Sequence, residues 1–270
     1  MNTLVLRLSD IFHKRKPIIG VIHLPPLPGS PNYENTSLNS IIKRAINDGM
    51  ALEQGGVDGV IVENFWDSPF EKTINDPLTI ASMTLVTHKI REKLSIPVGV
   101  NLLRNSAIEA AAIASATNSK FIRVNVYVET VATDSGIIEP IAPILLRYMK
   151  QRNISLGILA DVHVKHGKVI GERSIIETAK DALTRGGATA VIVTGKRTGE
   201  PPEDKVLKSF KSANVMPVII GSGLKKENIG LLEYVNGAIV GTYFKEKGQI
   251  EQPVSVERVR DFMELVESFR

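Results

Sequence analysis

The chain contains no cysteine. Disulfide frameworks, cysteine-held metal or iron–sulfur centres and thiol nucleophiles are therefore excluded. One tryptophan and 5% aromatic residues leave no row of rings on which bases could stack, so a nucleic-acid partner is not expected. No segment approaches the roughly 18 to 20 uninterrupted apolar residues that a transmembrane helix needs. The apolar stretch Leu4-Val5-Leu6-Arg7-Leu8 is broken by Arg7 and Asp10 and lacks a basic leader. It reads as a short helix capping one end of the fold, not as a signal segment. Charge is not concentrated either: the net value is +4, spread along the chain, which favours anionic small ligands only weakly. The longest basic run, His13-Lys14-Arg15-Lys16, reads as a solvated turn before the first strand. These absences fit a reducing cytoplasm.

What is present is a repeat of apolar strand, polar ending, loop and helix. Eight apolar segments cover residues 17–23, 57–63, 98–103, 121–126, 155–161, 188–194, 218–221 and 237–241. They end at His23, Glu63-Asn64, Asn101 with Arg104, Arg123 with Asn125, Asp161 with His163, Thr194-Gly195, Gly221-Ser222-Gly223 and Gly241-Thr242. Helical spacing fills residues 37–54, 77–94, 108–116 and 254–269. This is the pattern of a single-domain α/β chain folded as a (β/α)8 TIM barrel, whose usual length of about 250 residues is close to this one. In such a barrel the polar strand ends converge on one mouth. The proline-rich loop over 24–31 is expected to be a stiff wall of that mouth, and the loop over 127–138, with Thr133, Asp134, Ser135 and Gly136, a lid.

Two apolar strands end in glycine plus a hydroxyl residue: Gly221-Ser222-Gly223 and Gly241-Thr242. They occupy the last two strand positions, where barrels of this kind often hold a phosphate. Glycine lets backbone amides approach the anion, a helix start near residues 225–228 would aid them, and Lys245 would add charge. No dinucleotide fingerprint follows, because position 226 is lysine, and Gly195-Lys196-Arg197-Thr198 resembles a nucleotide loop only in composition.

At the end of the fifth strand, Asp161, His163 and Lys165 alternate, and an extended segment would align them on one face. Asp161 with His163 suits acid–base work, with Glu63 as second carboxylate and leading alternative base. Lys165 would form a Schiff base if desolvated. A divalent metal is an open alternative to a cofactor-free site, with Glu63 or His23 as third ligand. Arg123 and Asn125 share a face of the fourth strand. They either position a reacting oxygen or form a buried structural network with Glu63 and Asp161. His23, Asn64, Asn101, Arg104, His166, Thr194 and Gly195 complete the expected substrate-binding set.

Several stretches together resemble the BtpA family: residues 20–31 (Gly-Val-Ile-His-Leu-Pro-Pro-Leu-Pro-Gly-Ser-Pro), 55–64, 121–125, 160–166 (Ala-Asp-Val-His-Val-Lys-His), Val193-Thr194-Gly195 with Thr198-Gly199, and 221–223. The resemblance spans most of the chain. It implies a phosphate-binding TIM barrel of the ribulose-phosphate type, and a family name that refers to photosystem I biogenesis. The combined expectation is a cytoplasmic, self-associating enzyme acting on a phosphorylated sugar or nucleotide-like metabolite by lyase, isomerase or glycosyl-transfer chemistry. The alternative is a non-catalytic assembly factor for a membrane complex. On this reading Asp161→Asn abolishes turnover and leaves the fold intact.

Overall fold

The computed structural model describes residues 4–34, 36–195 and 199–270. The chain begins with a bridge between Val5 and Leu156, a four-residue helix α1 (Leu8–Ile11) and strand β1 (Ile18–His23). Then follow α2 (Leu38–Gly55), β2 (Gly59–Glu63), α3 (Pro77–Lys93), β3 (Val98–Asn101), α4 (Ala107–Ala116) and β4 (Phe121–Val124). Two short strands, β5 (Val131–Thr133) and β6 (Gly136–Ile138), precede α5 (Ala142–Gln151) and β7 (Gly157–Asp161). The rest is β8 (Gly167–Val169), α6 (Ile175–Thr184), β9 (Ala190–Val193), α7 (Asp204–Ser212), β10 (Val218–Ile220), β11 (Gly237–Val240) and α8 (Val256–Val266). Strands β1, β2, β3, β4, β7, β9, β10 and β11 close into one parallel barrel, so the (β/α)8 expectation holds.

Residue parity along the strands decides what faces the barrel axis. Ile19 and Val21, Ile61, Phe121, Leu159, Ile192, Ile219 and Ile239 form one buried cluster inside the barrel. The intervening residues, such as Ile18, Ile22, Val60, Val62, Ile122 and Ile158, join the larger core beneath the helices. Ile11 and Phe12 belong to the inner cluster and plug the N-terminal end of the barrel. The expected helix at the chain start is thus displaced. Leu4 and Leu6 pair with Leu156 through backbone hydrogen bonds, and the helical turn begins only at Leu8. The basic run after it lines a wide groove at the same end. Lys16 there is half-buried and donates to the Leu232 carbonyl, so it is not a purely solvated residue.

Helix starts follow local chemistry. Ser37, Asp76, Ser174 and Ser255 each accept from a backbone N–H of the first turn. Past β10 the helix start expected at 225–228 is found at Lys226, but as a 3-10 run (Lys226–Tyr234) rather than an α-helix. The last helix ends at Val266 and tightens into a 3-10 turn (Glu267–Phe269). The expected lid is an ordered element. Strands β6, β5 and β8 form an antiparallel sheet with a small core of Val126, Val131, Ile138 and Val164. Asp134 of this sheet pairs with Arg104 at 2.6 Å, and Ser135 Oγ donates to the Phe70 carbonyl at 2.8 Å. Among the described residues no helix is long and apolar enough to cross a membrane.

Candidate functional site

The polar strand ends continue the inward-facing rows. His23 is paired in register with Glu63, Glu63 with Asn101, and Asn101 with Arg123. Each lies two residues beyond an interior residue of its own strand, so all four reach the mouth from inside the barrel. The same parity carries Asp161, Gly221 and Gly241 to the mouth.

Arg123 is the centre of this layer. Its guanidinium donates to both oxygens of Asp161, from Nε at 2.8 Å and from Nη2 at 3.0 Å, and its Nη1 lies 3.7 Å from Glu63 Oε2. Asn125 donates to Asp161 at 3.2 Å, and Asn101 donates to Glu63. Burial opposes the charge on Arg123, but the Asp161 carboxylate, hydrogen-bonded to it, and Glu63 together outweigh burial and raise the Arg123 pKa. The buried arginine–carboxylate network is therefore present, and Asp161 acts as its anchor.

The expected pairing of Asp161 with His163 is not formed. The strand ends at Asp161, and His163 sits at φ +50°, so the alternation that would align Asp161, His163 and Lys165 is broken. The His163 backbone N–H donates to Glu129 Oε1 at 2.9 Å. Asp161 accepts three hydrogen bonds from Arg123 and Asn125, and among the described residues no group of three His, Asp or Glu side chains converges to hold a metal ion.

A cavity of about 220 Å3 opens at this mouth. His23, Glu63, Arg123 and Lys165 line it on one side, and Gly221, Ser222, Gly223, Gly241 and Thr242 on the other. Among the described residues the backbone N–H groups of Ser222, Gly223, Leu224, Thr242 and Tyr243 donate to no protein acceptor, although all five residues line the cavity. Gly223 adopts φ +78°, and a Cβ there would come within 2.2 Å of the Glu200 and Pro201 backbone. A side chain at Gly241 would meet the His23 ring at 2.8 Å. Both glycines thus permit close packing around an opening rich in donors.

His23 is buried and pushed down to about 3, first by desolvation and then by the positive charges of Lys245, Lys165 and Arg123. It is a neutral imidazole at physiological pH, packed edge-on against Phe65. Lys165 is also pushed down, by burial and by Arg123, and it forms no ion pair with the described residues.

The remaining expected residues take other roles. Asn64 accepts from the Leu103 N–H at 2.8 Å and donates to Asp67 at 2.9 Å, and Asp67 in turn holds the Leu27 N–H of the proline-rich loop at 2.7 Å. Asn64 is therefore a brace, facing away from the axis as its even register requires. Arg104 lies 5.1 Å over the Phe70 ring and ties the lid down through Asp134, away from the cavity. His166 is exposed and does not line the cavity. Thr194 packs its methyl group beside Gly221, and Gly195 packs against the backbone of Glu200 and Pro201. Residues 196–198 of the nucleotide-loop-like stretch lie outside the described residues. Lys245 does not face a ligand. It is fully buried and donates to Asp48 at 2.5 Å.

Sequence reading missed Phe65, Leu224 and Tyr243, which also line the cavity. It also missed Glu129, a buried residue whose carboxyl is pushed up to about 7 by desolvation and, secondarily, by the Asp161 charge. No local motif marks it, because its burial is created by the turn after β7. Between pH 4.5 and about 7 the folded chain holds a proton on Glu129 that the unfolded chain has released. This contribution to stability is fully present below pH 4.5 and lost as pH rises through 7. An NMR titration of the Glu129 carboxyl should show a midpoint near 7, and Glu129→Gln should flatten stability across that range. A midpoint at the ordinary 4.5 would contradict the burial argument.

Comparison with known proteins agrees with this architecture. The model of the BtpA family matches residues 14–268. A photosystem I biogenesis protein BtpA from Synechocystis is 43% identical over 259 residues, covering 95% of this chain and 90% of that protein. An uncharacterized protein of Thermococcus kodakarensis is 44% identical over 258 residues, covering 95% and 97%. Among solved structures, phosphoribosyl anthranilate isomerase from Thermus thermophilus aligns with a TM-score of 0.55 at 14% identity, covering 94% of this chain and all of that one. The latter likeness is one of fold. The family match over nearly the whole length, on a closed eight-stranded barrel with this mouth, establishes that the chain belongs to the BtpA family.

Proposed function

We propose that this barrel is an enzyme acting on a phosphorylated small molecule, a sugar or nucleotide-like metabolite, bound in the mouth cavity. The observation that carries the reading is the set of backbone N–H groups at residues 222–224 and 242–243 that find no acceptor among the described residues, in segments lining the same cavity as Arg123 and Lys165. Backbone donors grouped around glycine turns suit a phosphate, and a cation across the cavity suits the developing charge of the reacting end. Glu63 is the carboxylate available for proton transfer, held in place by Asn101 and Arg123. Neutral His23 can accept or donate a hydrogen bond without carrying charge. Asp161 fixes Arg123 and is a positioning residue. The fold neighbour whose name includes a phosphoribosyl compound is consistent with this use of the barrel.

A thermal-shift screen tests it. Ligands that bind only the folded state raise the melting temperature. Inorganic phosphate or sugar phosphates should stabilise the protein, and Ser222→Glu, which places a carboxylate at the donor cluster, should remove the shift. Absence of any shift at concentrations above millimolar would overturn the phosphate reading. It would favour the assembly-factor reading suggested by the name of the Synechocystis relative.

A further inference from the structure

Near the C-terminal end of the barrel Lys245 is fully buried and Lys165 half-buried, and their surroundings differ. Lys245 is neutralised by Asp48 at 2.5 Å. Lys165 lines the mouth cavity and forms no ion pair with the described residues. The nearby carboxylates, Asp161 and Glu63, are already engaged by Arg123. Partial burial of an ammonium group with no ion pair is costly, and it shifts the balance toward the free amine. Burial is the main cause of the lowered Lys165 pKa and the Arg123 charge adds to it, while the Glu63 and Asp161 carboxylates partly offset it. The free amine is also the nucleophilic form.

The position of this amine is as informative as its state. Lys165 follows β7, which lies two places round the barrel from β10 and three from β11. The donor clusters after β10 and β11 therefore hold one end of the cavity, and the amine reaches into it from another sector. Glu63 lines the space between them.

We propose that Lys165 forms an imine with the carbonyl carbon of a phosphorylated aldehyde or ketone whose phosphate rests on residues 222–224 and 242–243. This rests on the phosphate reading above and specifies its substrate class. The amine nitrogen adds to the carbonyl carbon while the carbonyl π electrons move to oxygen. A proton passes from nitrogen to that oxygen, giving a carbinolamine. Protonation of the hydroxyl by Glu63 lets the C–O bond break, and one water leaves as the C=N bond forms. Carbonyl, amine and the proton that Glu63 takes from solvent and delivers thus give a protonated imine plus water, with no oxidant or reductant. The protonated imine is an electron sink for cleavage or proton removal at the adjacent carbon, which places the reaction among lyases or isomerases.

Pyridoxal 5′-phosphate serves as the probe, because it carries both an aldehyde and a phosphate. The native protein is incubated with it at neutral pH, reduced with borohydride and mapped by peptide mass spectrometry. The label should fall on Lys165, compete with inorganic phosphate, and form about tenfold or more faster than with pyridoxal, which lacks the phosphate. Lys165→Met should lose that label while the slow background on exposed lysines persists, and its melting curve verifies the fold. Labelling confined to exposed lysines, in a protein that inorganic phosphate still stabilises, would overturn the imine and leave the phosphate reading standing. If inorganic phosphate gives no stabilisation and does not compete, both fall. Labelling of Lys165 at equal rates by pyridoxal and its phosphate would also overturn the proposed placement.

Discussion

Asp161→Ala should lower the unfolding free energy by about 3–5 kcal/mol and the melting temperature by roughly 10 °C. Arg123 cannot lose its proton at any accessible pH, and its side chain is only 5% exposed. In the native chain two hydrogen bonds to Asp161 neutralise it, while Glu63 is more distant at 3.7 Å. Removing the carboxylate leaves a buried charge with one weak partner. The sequence alone suggested that Asp161→Asn would stop turnover and spare the fold. The bidentate contact predicts instead that stability falls with it, because an amide cannot supply the missing charge. Chemical and thermal melts of Asp161→Ala decide the matter. The double variant Arg123→Met with Asp161→Leu should regain most of the loss, since apolar replacement of a whole buried pair is often neutral. A single variant that melts with the native protein would show that Arg123 is neutralised from elsewhere.

Lys245→Met should cost a similar amount, about 3–5 kcal/mol. It strands Asp48 in the core with the Val254 N–H, at 2.9 Å, as its one remaining partner among the described residues. Asp48→Asn combined with Lys245→Met should restore much of the stability, because asparagine still accepts from Val254 and brings no charge. In that double variant, binding of inorganic phosphate should stay within about twofold of native, less than half a kcal/mol. A tenfold loss of phosphate affinity would return Lys245 to the ligand site, where its closeness to the glycine ending of β11 first suggested it belonged.

The fold was legible because each strand is short, apolar and closed by a polar pair, and because barrel strands are too buried to alternate with polar residues. The interior of the site was legible by parity. His23, Glu63, Arg123, Gly221 and Gly241 each stand two residues beyond a core residue that faces the axis. The same rule separates Asn64, which faces the other way and became a brace. Parity stops being a guide where the strand stops. Beyond Asp161 the chain turns through a positive φ at His163, so the apparent alignment with Lys165 had no backbone to support it.

By itself, the sequence determined the eightfold alternation, the end of the barrel at which polar groups collect, and the glycine–hydroxyl endings of the last two barrel strands. Local patterns suffice for these, since strand period and turn chemistry act over a few neighbouring residues. Tertiary structure alone decided which charges neutralise one another. Asp161 was assigned to Arg123, Asp48 to Lys245 and Asp134 to Arg104, leaving Lys165 without an ion pair among the described residues. Electrostatic partners are chosen by distance and burial, and residues 30 to 197 positions apart in the chain become neighbours only when the barrel closes.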